Sequence, residues 1–414
     1  MHKKRILVAQ SGGPTAVINA SLMGVVQTAI KDTRVEKVLG ALNGIEGLFR
    51  NHIVDLSDLS EEMIKKIYYT PSSALGSCRY KLGAKENVEE EYSHIFSQFK
   101  YWGIDLFFYI GGNDSMDTVA QLNEYGIKNG FSVQCIGIPK TIDNDLEGTD
   151  HTPGYGSAAK YIANSILEIK KDLDVYERKQ ITIVEIMGRD AGWLTAAAYL
   201  PNYFLNDGID LIYLPEKAFD LDSFYNDVKR VQKEKDGKVF IAISEGIRDE
   251  MGQYVGAMDL GLKDQFGHQQ LGGAAFPLKQ FVKTHLESRV KTITFDLLQR
   301  CSASFVSKTD LEEAFGVGKC GVLRALEGES GKMISIVRIK NNPYETLFES
   351  VDIHGVANRV KSVPKEYILD NGNGMTKECC EYIAPLINGK AIINEVNGLE
   401  DFGYILKSEK MVRP

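Results

Sequence analysis

Ile138-Pro139-Lys140-Thr141-Ile142-Asp143-Asn144-Asp145 is the stretch on which the fold turns. It follows an apolar run, Phe131 to Gly137, that reads as a buried strand. It precedes a polar loop with glycines, Glu147 to Gly156, and then a helical pattern. A strand that ends in a loop holding one lysine and two carboxylates is where an open α/β sheet puts its chemistry. In an extended loop, residues two apart point the same way. Asp143 and Asp145 are therefore expected to face one cavity, with Asn144 turned away. Asp-Asn-Asp-Leu-Glu-Gly is also ordinary turn chemistry, so the weight falls on a second loop of matching character.

That loop is Gly111-Gly112-Asn113-Asp114-Ser115. It follows Asp105-Leu106-Phe107-Phe108-Tyr109-Ile110, a run that reads as a buried parallel strand. It opens a helix expected over about 116–129. Strand, glycine pair and helix N-terminus make a phosphate-binding arrangement, because the glycines admit a close ligand and the free amides favour an anion. Asp114 is odd in such a place. It repels a phosphate unless a cation neutralises it, and Lys140 and a magnesium ion are the candidates.

The rest of the chain extends this pattern. Its 414 residues, 43% of them apolar, suffice for two domains. A net charge of −8 without a long basic run argues against nucleic-acid binding. The six cysteines show no CxxC pair and no zinc spacing, and read as reduced cytosolic thiols. Met1-His2-Lys3-Lys4-Arg5 runs straight into a strand, unlike a signal peptide. No apolar stretch is long enough to span a bilayer. Arg5 to Gln10 is a strand, followed by Ser11-Gly12-Gly13-Pro14-Thr15 and a helix over 16–31. Val35 to Leu42 is the next strand, and 86–102 has helical periodicity. A βαβα pattern with glycine loops at strand ends predicts a doubly wound parallel sheet. A second βαβ set follows: helix 155–176, strand 180–185, helix 191–199, strand 210–214, helix 221–234 and strand 238–243. The stretch 260–273 reads as a loop with a short helix, 280–289 as a helix and 291–295 as a strand. A helix over 310–326 and a strand over 332–339 end the regular pattern. The last 75 or so residues are mixed.

Gly316-Val317-Gly318-Lys319-Cys320-Gly321 fits G-x-G-x-x-G but sits inside a helical pattern, so helix packing is expected there and not a dinucleotide. No Walker A loop, H-E-x-x-H or serine-nucleophile elbow is present.

The loops carry a resemblance. Ser11-Gly12-Gly13, Gly76-Ser77-Cys78-Arg79, Gly111-Gly112-Asn113-Asp114-Ser115, Pro139 to Asp145, Met187-Gly188-Arg189, Ser244-Glu245-Gly246 and Gln299-Arg300 occur in the order found in the phosphofructokinase family. With Asp114 and Lys140 where ATP-using members have glycine, the chain resembles the pyrophosphate-dependent branch, the diphosphate–fructose-6-phosphate phosphotransferases. The resemblance implies two Rossmann-like α/β lobes with mainly parallel sheets and the site in the cleft between them. Residues 1–154 plus about 297–339 would form the pyrophosphate lobe. Residues 155–296 plus 340–414 would form the sugar-phosphate lobe. A homodimer or homotetramer in the cytoplasm is implied as well, with neither nucleic acid nor membrane as partner.

By the same resemblance, Asp143 takes the proton of the sugar 1-hydroxyl, and Lys140 supplies charge during transfer. Asp114 excludes ATP by occupying the place of a nucleotide's α-phosphate. Thr141 positions the phosphoryl group, Gly13 contacts pyrophosphate through its amide, and Arg79 balances charge. Ile142, Met187, Gly188, Arg189, Glu245 and Arg300 line the fructose 6-phosphate site with Thr141 and Asp143. Asp145 and Asn113 hold Mg2+. Asn113 departs from the family, most of whose members have aspartate there, and so does Gln180, where relatives have an arginine. An ATP-dependent phosphofructokinase and a catalytically weak regulatory subunit are the alternative readings.

Overall fold

The computed structural model describes residues 2–83, 88–256, 273–286 and 288–403. The stretch 260–273 read as a loop with a short helix lies almost wholly outside them. The first half of the chain alternates strand and helix: β1 (Lys4–Gln10), α1 (Ile18–Lys31), β2 (Val35–Ala41), α2 (Gly44–Phe49), β3 (Ile53–Asp55), α3 (Glu61–Tyr69), α4 (Val88–Trp102), β4 (Leu106–Gly111), α5 (Asn113–Lys128) and β5 (Gln134–Pro139). β4 is buried along its whole length, as a strand covered on both faces must be, and helices cover both faces here. β1, β2, β4 and β5 run parallel, with Val8 opposite Gly40 on one side and Phe108 on the other.

A second unit follows: α6 (Tyr155–Asp174), β6 (Gln180–Ile186), α7 (Trp193–Ala197), α8 (Leu200–Leu205), β7 (Leu211–Tyr213), α9 (Leu221–Glu234), β8 (Lys238–Ser244), α10 (Ala275–Leu286) and β9 (Val290–Thr294). Its four strands are all parallel, in the order β7-β8-β6-β9. α9 shows why the helical reading works here. Phe224, Val228 and Val231 make one buried stripe at helical spacing, and Asp220 caps the N-terminus by accepting the Ser223 N–H at 2.7 Å.

The chain then returns through α11 (Leu298–Cys301), α12 (Lys308–Leu326), β10 (Lys332–Asn341) and β11 (Tyr344–Asp352). β10 pairs parallel with β5, and β11 pairs antiparallel with β10. The first sheet therefore has seven strands, β11-β10-β5-β4-β1-β2-β3, with antiparallel strands at both edges. The two-lobed α/β fold with mainly parallel sheets is as expected. The tail runs back to the second unit, where Cys379, Cys380 and Ile383 of α13 (Lys377–Ile383) share a core with α6 and α7. Two antiparallel strands, β12 (Glu395–Val396) and β13 (Leu399–Glu400), lie beyond it. All six cysteines are unpaired.

Several boundaries differ from expectation. α5 begins at Asn113, three residues before the anticipated start. Its first turn is polar, so apolar periodicity detects only the second. The strand expected from Phe131 starts at Gln134, because Phe131 packs on Phe96 with ring centroids 4.6 Å apart. The helix expected over 191–199 is the shorter α7, and a second short helix, α8, follows it with a proline in its first turn. α10 starts and ends earlier than expected.

The helix-packing reading of the glycine run holds. A Cβ on Gly318 would sit 2.2 Å from the Ser21 carbonyl oxygen of α1, and one on Gly24 of α1 would sit 2.2 Å from the Phe315 carbonyl oxygen. Helix propensity favours alanine over glycine by about 1 kcal/mol, whereas overpacking costs about 1–3 kcal/mol. The obstacle is backbone and cannot swing aside, so overpacking wins. Gly318→Ala is expected to lower the thermal melting temperature, and a raised one would show that α1 and α12 can part freely.

Candidate active site

Ends of strands from both sheets converge on one cleft of about 520 Å³. From the seven-stranded sheet come Gly12 and Gly13 after β1, Asn113 and Asp114 after β4, and Lys140 to Asp145 after β5. From the four-stranded sheet come Met187 and Arg189 after β6 and Glu245 after β8. Arg79 and Arg300 enter from connecting segments. Of the residues anticipated from the sequence, all but Gly188 line this cleft. Gly188 stands behind it, donating its N–H to Glu245 Oε1 at 3.3 Å.

The glycines permit this convergence. Gly12 has φ +72°, and a Cβ there would approach Lys140 Nζ to 3.3 Å. The loop after β1 is held by Gly12 N–H to the Cys78 carbonyl at 3.0 Å and by Ser77 Oγ to the Gly12 carbonyl at 2.6 Å, which sets Arg79 at the rim. Ser11 Oγ and Ser115 Oγ lie 2.5 Å apart and tie that loop to α5. Asp114 lies in the first turn of α5, where the helix dipole favours a carboxylate.

Lys140 is buried, and its Nζ donates to the Gly13 carbonyl at 2.6 Å. Burial pushes this ammonium down to about 8; Asp143 holds it up, while Arg300 and Arg79 press it further down. Asp143 accepts from Thr141 Oγ1 at 3.3 Å, and its own N–H donates to that hydroxyl at 3.1 Å. Burial raises the Asp143 carboxyl, against the Thr141 hydrogen bond and the Lys140 charge. Asp145 is raised by burial and then by the Asp143 charge. Both carboxylates face the cleft as expected, but not through an extended loop. Asn144 is left-handed, with φ +55°, a conformation asparagine tolerates. Its side chain is turned away into a buried network, accepting the Thr152 N–H at 3.0 Å and donating to Tyr382 Oη at 3.0 Å.

The opposite wall is built by backbone approach. Gly188 has φ +133°, Ser244 Oγ donates to its carbonyl, and a Cβ on Gly246 would sit 2.0 Å from the Arg189 carbonyl oxygen. Burial raises Glu245 to about 7, opposed by the Gly188 N–H. Burial and then Arg79 lower Arg300. Gln299 faces inward instead, accepting the Met187 N–H at 3.1 Å and thereby fixing α11. The arrangement is one cation and two carboxylates at the centre, arginines at the rim, and a carboxyl of shifted acidity on the far wall. It can bind anions, take a proton and stabilise charge that develops during transfer.

Sequence reasoning missed Tyr80, Asp190, Asn358 and Val360, which also line the cleft. Asp190 was legible beside Arg189 and pairs with Arg248 at 2.5 Å. Asn358 and Val360 carried no motif. Asn358 N–H donates to Asn113 Oδ1 at 2.6 Å across 245 positions of sequence. Among the described residues, no group of three or more His, Cys, Asp or Glu is placed to hold a metal.

The phosphofructokinase family model matches residues 5–317. The chain is 39% identical over 410 residues to a pyrophosphate–fructose 6-phosphate 1-phosphotransferase of Halomonas elongata, covering 98% of this chain and 97% of that one. It is 41% identical over 393 residues to the protein of the same name from Xanthomonas campestris pv. campestris, covering 94% and 93%. A solved pyrophosphate-dependent phosphofructokinase from Nitrosospira multiformis is 36% identical and superposes with a TM-score of 0.88, covering 96% of this chain and 95% of the other. Matched along nearly its whole length, and with the family's loops gathered at the ends of its parallel strands, the chain belongs to the phosphofructokinase family.

Proposed function

We propose that the protein catalyses reversible, Mg2+-dependent phosphoryl transfer from pyrophosphate to the 1-hydroxyl of fructose 6-phosphate, giving fructose 1,6-bisphosphate and orthophosphate. The observation that carries this reading is that Asp114 and Lys140 line the same cleft as Asp143 and Arg300. The names of the relatives support it. In this reading residues 1–154 and about 297–339 hold pyrophosphate, together with β11, which is hydrogen-bonded into their sheet. Residues 155–296 hold the sugar phosphate, with α13 of the tail packed into their core. A cytoplasmic homodimer or homotetramer goes with it.

The C1 hydroxyl oxygen attacks the terminal phosphorus of pyrophosphate, the bridging P–O bond breaks, and orthophosphate leaves. The hydroxyl proton passes to Asp143. Burial makes Asp143 a stronger base than an ordinary carboxylate, and Lys140 keeps it ionised. Thr141 holds it in place. Lys140 and Arg79 stabilise charge on the transferring group, Gly13 offers its amide, and Asp114 takes the space and charge of a third phosphate. Arg300 and Arg189 clamp the sugar phosphate, where a planar guanidinium binds two oxygens. Met187, Gly188, Ile142 and Glu245 shape the sugar site.

The residues present fit Mg2+, which is held by one or two carboxylates plus substrate phosphates and water. Asp145 and Asp143 repel each other in a desolvated place, which a divalent cation offsets. Asn113 Oδ1 accepts one N–H and keeps a lone pair for a metal or its water. When bound, the ion neutralises phosphate charge and orients the donor.

In an assay of fructose 6-phosphate phosphorylation with Mg2+, wild type is expected to use pyrophosphate and not ATP, with ATP use improving in Asp114→Gly. Equal use of ATP by wild type would move the enzyme to the ATP branch. Asp143→Asn is expected to lower kcat by about 10²–10⁴-fold with little change in KM; a tenfold or smaller drop would remove Asp143 as the base. In the free enzyme Lys140 loses its charge as pH rises through about 8. The kcat/KM for pyrophosphate should therefore fall above that pH, and should fall on the acid side as Asp143 is protonated. An alkaline limb at the ordinary lysine value of about 10 would contradict the role of a desolvated Lys140.

A further inference from the structure

Between β11 and α13 the tail crosses the cleft. Asn358, left-handed at φ +59°, donates its N–H to Asn113 Oδ1 at 2.6 Å and its Nδ2 to Asp117 Oδ1 at 2.8 Å. Asn113 Nδ2 donates in return to the Arg359 carbonyl. Three residues beyond Asn358, Lys361 N–H donates to the Asp145 carbonyl at 2.8 Å. Its Nζ donates to the carbonyls of Asp150 and Thr149 at 2.7 and 3.2 Å, and its carbonyl accepts Trp193 Nε1–H at 2.8 Å. Four residues thus join the first turns of α5, the loop after β5 and the second lobe. Val360, between these anchors, is 45% exposed and lines the same cleft as Asp114.

We propose that residues 358–361 form a strap that sets the length of the phosphate donor. Val360 and Asn358 wall the donor end beside Asp114, so that a diphosphate fits and a longer polyphosphate does not. Lys361 and the Asn358 backbone are positioning groups, acting through Asp145 and Asn113. Charge repulsion at Asp114 alone makes no distinction between a wall and open water beyond it. The strap supplies the wall, and it is held by seven hydrogen bonds to three different elements. The inference rests on the pyrophosphate reading.

The test compares inorganic pyrophosphate with inorganic tripolyphosphate as donors to fructose 6-phosphate, using the full chain. Asn358→Gly/Val360→Ala keeps the left-handed backbone and opens the wall. It is expected to raise the ratio of kcat/KM for tripolyphosphate over pyrophosphate by about tenfold or more, with the KM for fructose 6-phosphate within about twofold. Val360→Trp, which narrows the same end and does not depend on the strap loosening, should raise the KM for pyrophosphate and spare that for the sugar. Equal losses with both donors, or an unchanged ratio in the first variant together with an unchanged pyrophosphate KM in the second, would overturn the strap. Wild type that transfers from pyrophosphate while the variants show no shift defeats the strap alone; wild type that cannot use pyrophosphate defeats the reading beneath it.

Discussion

Lys140 holds its ammonium on the carbonyl of Gly13, buried, with Asp143 close enough to keep it charged. Much else in the site follows from keeping that charge out of water. A desolvated ammonium must be compensated nearby, so the loop after β5 brings the Asp143 carboxylate to it. That carboxylate is itself partly buried, and Thr141 supplies it a hydrogen bond. A Cβ on Gly12 would press to 3.3 Å from Nζ, and the φ of +72° there suits glycine. Burial strengthens every one of these interactions, because the local dielectric is lower than in water.

The two sheets serve this arrangement by meeting at their carboxyl ends. Strands of the larger sheet deliver the groups of one wall, and β6 and β8 deliver the groups of the other. Tight connections hold the two together. Asp310 of α12 accepts the N–H groups of Gly154 and Ser157 at 2.8 and 2.9 Å, capping α6 across the junction. His151 lies between Asp150 and Glu313, at 2.7 and 2.6 Å, and Arg338 closes on Asp150 at 2.7 Å. These charges stand behind the loop that carries Asp143 and Asp145, and each has a partner, as buried charges require.

What was legible in the sequence was local. An apolar run followed by glycines and charge marks the end of a buried parallel strand, so the loops after β1, β4, β5, β6 and β8 could be found one at a time. Their order along the chain then marked the family. The start of α5 was misplaced because a polar first turn has no apolar period. Tail elements were harder still. β11 has no buried residue along its length, and Asn358 meets Asn113 only because the fold brings together positions 245 apart. A side chain that works through a contact made late in the chain leaves no spacing to read.

The most direct measurement is phosphorus NMR of the wild-type enzyme incubated with fructose 1,6-bisphosphate, orthophosphate and Mg2+, with no nucleotide present. Appearance of pyrophosphate and fructose 6-phosphate resonances is the predicted result, since a buried lysine and a single carboxylate base serve transfer in both directions. Spectra in which orthophosphate persists unchanged, while a parallel sample given ADP forms ATP, would contradict the account.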